Sequence, residues 1–218
     1  MMKKTLALVC AGVMSAVPMM ASAYEAGDMM LRFGGVAVTP QDESENIPDV
    51  DAPVGVGSDT QVGLNFVYML TSNVGVEVLA ATPFQHDVTL KNSAMPSTIG
   101  SVKHLPPTVS LQYYFNTNSN FTPYIGAGLN YTTFFSEDVS KLEAANPGMD
   151  FDLSLDDSTG LALQVGVDYK ITDHWALNAS MYKIDIDTEA TLKVDGDKLK
   201  WDIEIDPMVY MVAASYKF

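Results

Sequence analysis

The sequence predicts an all-β fold: a closed eight-stranded antiparallel transmembrane β-barrel with short periplasmic turns and long extracellular loops. Three observations carry that prediction. Apolar and polar residues alternate with a period of two along most of the chain, which describes strands with two unlike faces. Connections between the alternating runs are short and long in turn, with the acidic stretches in the long ones, as in a barrel whose two ends face different compartments. The chain also stops within an alternating run, "MVAASYKF", on the apolar side chain of Phe218. Chain ends usually fray into water, so a last strand of this composition is expected to be held by a neighbour.

The N-terminus sets Lys3 and Lys4 before an apolar stretch from Leu6 to Val17 and closes on Ala21-Ser22-Ala23. A charged start, a short apolar run and a small-x-small site describe a secretory signal peptide, residues 1–23, whose removal leaves a single domain, 24–218. The run is too short to span a bilayer as a helix. Cys10 is a weaker lipoprotein candidate, because Val9 stands where a small residue is expected. It is the only cysteine of the chain, so the exported domain must be stabilised without disulfides. The formal net charge is -15, and loss of Lys3 and Lys4 lowers it to -17. Nucleic acid is thereby disfavoured as a partner, since it would need a basic stripe. After the signal, no run approaches the roughly twenty apolar residues of a helical span, which leaves a barrel as the route across a membrane.

The eight strands are expected at 28–39, 60–70, 74–91, 102–115, 121–135, 159–170, 174–190 and 199–218. The clearest, "TQVGLNFVYML", sets Val62, Leu64, Phe66, Tyr68 and Leu70 against Gln61, Gly63, Asn65, Val67 and Met69. "HLPPTVSLQYYF" and "GLALQVGVDYK" alternate in the same way. Thr71–Asn73, Asn116–Asn120 and Ile171–Asp173 form short turns, whereas Pro40–Asp59 and Ser136–Asp157 form long acidic loops. An even strand number puts both termini at the short-turn end.

Alternation alone also fits a soluble, lipocalin-like barrel with its apolar face inward. Side-chain size decides for the membrane. One face is bulky and apolar on every strand, while the other carries Gly63, Gly75, Gly126, Gly128, Gly160 and Gly166. Eight strands enclose little more than side-chain volume, so the small residues belong inside. Aromatic residues also gather at the strand ends. Tyr68, Tyr113, Phe115, Tyr124, Tyr169, Trp175, Tyr216 and Phe218 lie near the short turns, and Phe84, Tyr131, Phe135 and Trp201 lie towards the loops. Two aromatic belts are what two membrane interfaces select. Tyr216 and Phe218 would close the barrel against the first strand, and they resemble the terminal signal read by the barrel-assembly machinery.

The segments "RFGGVAVTP", "VGVEVLAATPF", "HLPPTVSLQYYF", "PYIGAGLNYTTFF", "QVGVDYKI" and the terminal "YKF" together resemble the outer-membrane protein W (OmpW) family over nearly all of 24–218. The resemblance implies an eight-stranded barrel in a Gram-negative outer membrane, with a narrow apolar lumen for small hydrophobic molecules. One position departs from the family pattern. Thr159 follows Asp157-Ser158, where members often carry Trp, so a lumen constriction formed there is expected to be looser.

Within the lower half, Arg32, Asn65, Glu77, Gln112, Gln164, Asp168 and Asn178 fall on the inward face and form a polar periplasmic floor. Arg32 is the only arginine and needs a counter-charge, with Glu77 and Asp168 the candidates. Above the floor, Leu79, Ala81, Val36 and Val38 form an apolar region. Polar side chains fill any small barrel for stability; an apolar mouth above a polar floor is what points to transport. Pro83, Pro106 and Pro107 lie on the neighbouring third and fourth strands, where each removes a ladder donor, and a lateral exit into the membrane is expected there.

His86, His104 and His174 are the candidates for other chemistry. Alternation turns His104 inward with Thr108 and Ser110 and His86 outward with Phe84 and Val88, and leaves His174 on a turn. They do not converge, so neither catalysis, a metal nor a cofactor is expected. The acidic loops, with Asp42, Glu43, Glu45, Asp49, Asp51 and Asp59 in one stretch, lack calcium-loop spacing. They suit a solvated surface that weakly bridges divalent ions to lipopolysaccharide. The expected partners are outer-membrane lipids and lipopolysaccharide, the assembly machinery and small hydrophobic solutes, with the barrel monomeric. The alternative reading is a non-conducting structural or receptor barrel whose loops bind phage, bacteriocins or host surfaces.

Overall fold

The computed structural model describes residues 23–41, 43–44, 54–90 and 97–218. The expected signal peptide, apart from Ala23, and the loop acids Asp42, Glu45, Asp49 and Asp51 lie outside them. β1 (Met29–Thr39) is followed by the short β2 (Glu43–Ser44) and β3 (Val54–Val56), then by β4 (Asp59–Met69). β5 (Val74–Ala81), β6 (Phe84–Leu90), β7 (Ser97–Leu105) and β8 (Thr108–Tyr114) come next, and then the long β9 (Phe121–Asp138). A short helix α1 (Ser140–Ala145) and β10 (Phe151–Leu155) precede β11 (Ser158–Lys170) and β12 (Trp175–Ile184). β13 (Asp187–Val194), β14 (Asp197–Glu204) and β15 (Met208–Lys217) complete the chain. Neighbours run β1-β4-β5-β8-β9-β11-β12-β15 and return to β1, all antiparallel, which closes a barrel of eight walls.

The last strand is held, as its composition requires. β15 pairs with β1 from Met208↔Thr39 to Lys217↔Met30, and the Phe218 N–H donates to the Met29 carbonyl at 2.9 Å. Two of the short turns use one local device. Thr71 Oγ1 accepts the N–H groups of Asn73 and Val74 at 3.2 and 3.0 Å, and Thr172 Oγ1 accepts those of His174 and Trp175 at 3.3 and 3.0 Å. A hydroxyl that satisfies two turn donors fixes a tight connection without further residues.

Four of the expected strands are broken part-way up. Thr82-Pro83 separates β5 from β6, Pro106-Pro107 separates β7 from β8, Asp185-Ile186 separates β12 from β13, and Ile205–Pro207 separates β14 from β15. The breaks let the upper halves change partners. β10, β13, β14 and β2 form a separate four-stranded sheet on the loop side, and β7 pairs with the upper part of β9. β13 and β14 meet at Asp195-Gly196, both at positive φ (51° and 98°), the backbone that a two-residue hairpin with right-handed twist demands.

The first break also resets the alternation. Odd residues of β5, among them Glu77 and Leu79, are buried, but above Pro83 the even residues Phe84 and His86 are buried. Phe84 therefore packs inside the barrel and not in the outer belt. Trp201 is buried as well, because β14 turns it against the loop-side core. Tyr124 is buried because it shares parity with Gly126 and Gly128, and Phe121 takes the outward place. Outer aromatics pair at the short-turn end, tilted for Phe121–Tyr169 at 4.8 Å and edge-on for Trp175–Tyr216 at 4.9 Å. Thr159 faces outward opposite Tyr131, so its size does not set the width of the lumen. Val36 and Val38 stay inward, since β1 runs through Gly34-Gly35 without a register shift.

Gly34 marks the closing seam. A Cβ there would lie 2.0 Å from the Val212 carbonyl oxygen and 2.5 Å from the Ala213 Cα, whereas one at Gly35 would meet nothing within 4 Å. Gly34→Ala is expected to force β1 from β15 and cost about 1–3 kcal/mol, lowering the fraction of refolded protein that migrates as the compact, heat-modifiable gel species. Gly35→Ala should leave that fraction unchanged.

Candidate functional site: a charged floor beneath an apolar chamber

Arg32 reaches the lumen from the middle of β1 and is fully buried. Its Nη1 donates to Glu77 Oε2 at 3.1 Å and its Nη2 to Asp168 Oδ2 at 2.8 Å, from β5 and β11 on other walls. The same Nη2 donates to the Tyr114 hydroxyl at 3.0 Å, and the guanidinium carbon sits 5.0 Å from the centre of the Tyr124 ring. Each carboxylate is saturated in turn. Glu77 Oε2 also accepts from Asn65 Nδ2 (2.9 Å) and Gln112 Nε2 (2.8 Å), and its Oε1 from the Tyr182 hydroxyl (3.1 Å). Asp168 accepts from the Tyr24 hydroxyl (2.7 Å) and Asn178 Nδ2 (2.8 Å). Gln112 Nε2 donates onward to Gln164 Oε1 at 3.1 Å. All seven residues expected in the floor are buried, and they form one network fed by six of the eight walls.

Sequence reasoning left four tyrosines out of the floor: Tyr24, Tyr114, Tyr124 and Tyr182, all buried. The signal was present for three of them. Tyr114 shares parity with Gln112, Tyr124 with Gly126, and Tyr182 with Asn178. Tyr24 precedes any strand and turns up into the barrel end, edge-on to Tyr114 at 5.0 Å, which no periodicity predicts.

Above the floor the lumen changes character. Val36, Val38 and Leu79 join Phe84, Val102, Phe134, Ile184, Trp201 and Ile203 in one buried apolar cluster, with Ala81 partly buried against it. A cavity of about 50 Å³ opens within this tier, lined by Val102, Leu155, Ala190 and Ile203 together with His86 and His104. His86 and His104 do meet, contrary to the expectation from alternation. Their rings stack 4.8 Å apart, with Phe84 and Phe134 both against His104, because the break at Pro83 turned His86 inward. Among the described residues no group of three His, Cys, Asp or Glu assembles that would hold a metal ion. His174 remains on its turn, its Nδ1 2.9 Å from the Lys217 carbonyl oxygen.

β6 and β7 stand above the lipid-facing band, since their outward positions hold Gln85, Asp87, Ser101 and Lys103. Burial pushes both of their histidines towards the neutral form, His104 down to about 3. The prolines lie at the junction between the two tiers. The β5–β8 ladder stops at Leu79↔Thr108 and the β6–β7 ladder starts at Phe84↔His104, so Ala80–Pro83 and Leu105–Pro107 face each other without ladder pairs. Asn130 Nδ2 holds the Pro106 and Pro107 carbonyls from β9, each at 3.2 Å.

With the geometry in place, comparison with known proteins gives a consistent result. The model of the OmpW family matches residues 25–218. Outer membrane protein W of Vibrio cholerae is 45% identical over 221 residues, covering 100% of each chain. That of Escherichia coli is 43% identical over 199 residues, 91% of this chain and 92% of the relative. The crystal structure of the outer membrane protein OprG from Pseudomonas aeruginosa aligns with a TM-score of 0.80 and 42% identity, covering 89% of this chain and 97% of that one.

Removing Arg32 alone strands two buried carboxylates. Arg32→Met is expected to destabilise the barrel by about 3–5 kcal/mol in urea unfolding from lipid bilayers. Adding Glu77→Gln and Asp168→Asn should restore most of that loss, because no charge is then left unpaired. The histidine pair sets a pH dependence of the opposite end. Its folded-state pKa values lie below the ordinary value, so between about 6.5 and about 3 the unfolded form takes up protons that the folded form refuses. Stability of the loop-side tier is therefore full above that window and is lost as pH falls through it. Amide exchange in β6 and β7, corrected for intrinsic rates, should quicken from pH 7.5 to 5, and His104→Phe should remove most of the change.

Proposed function

The chain belongs to the OmpW family of outer-membrane barrels, and from that premise we propose that it admits small hydrophobic molecules at the loop side and releases them sideways into the membrane. The carrying observation is the stacking of two unlike tiers, an apolar chamber directly above a charged, hydrogen-bonded floor. An apolar solute gains about 25 cal/mol per Å² of surface that it removes from water, which favours the chamber and then the hydrocarbon outside. It gains nothing in the floor, where every displaced hydrogen bond leaves a buried polar group unpaired. An eight-stranded lumen is too narrow for a wide aqueous pore, so diffusion through the floor is the disfavoured path.

What supports an exit at Pro83, Pro106 and Pro107 is the interrupted ladder at the level where the two tiers meet. A wall opens where backbone bonds are already missing, and the outer surface there is apolar, with Val78 and Val109 exposed. The outer band as a whole contacts lipid, and the acidic loops face the lipopolysaccharide layer.

Two variants separate the routes. The described domain contains no cysteine, so Pro83→Cys with Pro107→Cys allows one reducible cross-link across the seam, its spacer matched to the gap. That link should abolish uptake of hydrophobic solutes by cells, and reduction should restore it. The variant Arg32→Ala with Glu77→Gln and Asp168→Asn should raise ion conductance in planar bilayers and leave hydrophobic uptake unchanged. Continued uptake by the linked barrel, with altered uptake in the floor variant, would place the path through the floor.

A further inference from the structure

The loop-side chamber is apolar almost throughout, and two polar atoms in it have no partner among the described residues. Trp201 is 7% exposed and His86 2% exposed, both line the cavity, and among the described residues neither Trp201 Nε1 nor His86 Nε2 has a hydrogen-bond partner. A buried polar group left unpaired costs about 1–3 kcal/mol, and a barrel that needed only a greasy chamber would place Phe or Leu at both positions. The roles of the two atoms are fixed by chemistry. An indole Nε1–H only donates. His86 Nδ1 lies against the Gly57 carbonyl oxygen, which only accepts, so Nδ1 carries the proton and Nε2 of the neutral ring presents a lone pair. Burial favours that neutral ring. The chamber thus holds one free donor and one free acceptor in apolar surroundings.

We propose that the chamber recognises uncharged alcohols, apolar molecules whose hydroxyl donates to His86 Nε2 and accepts from Trp201 Nε1–H. This rests on the uptake reading above and names its preferred solute class. A hydroxyl is the smallest uncharged organic group that can both donate and accept. An aldehyde or ketone only accepts and leaves His86 unpaired, and an alkane leaves both unpaired. Ammonium and carboxylate groups are excluded by the cost of burying a charge. The cavity, about 50 Å³, has room for roughly three to five water-sized positions, which suits the hydroxyl-bearing end of a chain with its first few carbons. The stacked His104 ring, 4.8 Å from His86, keeps the acceptor in place.

The test uses the full domain in lipid nanodiscs, titrated with 1-hexanol, hexanal and hexane against empty nanodiscs, and follows the Trp201 indole N–H and His86 Nε2 resonances. Trp201→Phe identifies the indole signal, since the chain has only two tryptophans. Hexanol is expected to move both resonances and to bind about tenfold more tightly than hexane, the effect of one or two net hydrogen bonds. His86→Phe and Trp201→Phe should each remove most of that preference while hexane binding persists; both keep an aromatic ring, and gel migration verifies folding. Equal binding of the three solutes, or an indole signal that only water affects, would overturn hydroxyl recognition and leave the uptake reading standing. Selective hexanol binding in a protein that supports no cellular uptake would sustain the site and remove the uptake reading.

Discussion

A guanidinium buried in the bore of a membrane barrel has to be satisfied by the protein, and the pairing of Arg32 with Glu77 and Asp168 organises the lower half of the molecule. Two carboxylates meet it from separate walls, and each needs further donors of its own. The amides of Asn65, Gln112 and Asn178 and the hydroxyls of Tyr24 and Tyr182 supply them. Buried polar groups call for partners, and the network spreads across the cross-section, with Arg32 Nε, Asn65 Oδ1, Gln164 Nε2 and Asn178 Oδ1 left without one among the described residues. The small residues opposite follow from that filling. A side chain at Gly126 would run into Gln164, and one at Gly166 into the Tyr124 ring.

The same closure divides the lumen by chemistry. Below lies a layer where water-like groups bind one another; above lies a tier where almost everything is apolar. The tier boundary coincides with the level at which strands lose their ladders at proline. Sheet edges and bulges are where barrels re-aim their side chains, and here the break carries His86 and Phe84 into the lumen. Sealing at the bottom, apolar lining at the top and weak pairing between them are thus parts of one arrangement, which is why the proposed path turns sideways.

Much of this was legible in the sequence, and the misses have physical causes. Alternation placed Arg32, Glu77 and Asp168 inside together, because a period of two survives wherever a strand is continuous. It failed at His86, where a single break between Ala81 and Phe84 shifts the parity of everything beyond. Residue type alone marks aromatic residues as interface anchors, yet Tyr124 and Trp201 face inward; parity is the better guide for Tyr124, and only the upper sheet explains Trp201. Tyr24 was invisible, since its place in the floor comes from the segment that precedes β1 and not from any strand. The loop-side sheet of β10, β13, β14 and β2 was also missed: β2 and β10 lie within the segments read as acidic loops, and β13 and β14 continue predicted strands without a change in pattern.

The most direct test of the two-tier account follows an apolar fluorophore through the barrel in real time. Protein is reconstituted in liposomes whose phospholipids carry bromine in the acyl chains, with cyclodextrin trapped inside. Lateral release predicts that quenching by the brominated chains precedes the cyclodextrin signal and depends on the protein. Capture by cyclodextrin without earlier quenching, accelerated when the Arg32 floor is neutralised, would contradict it.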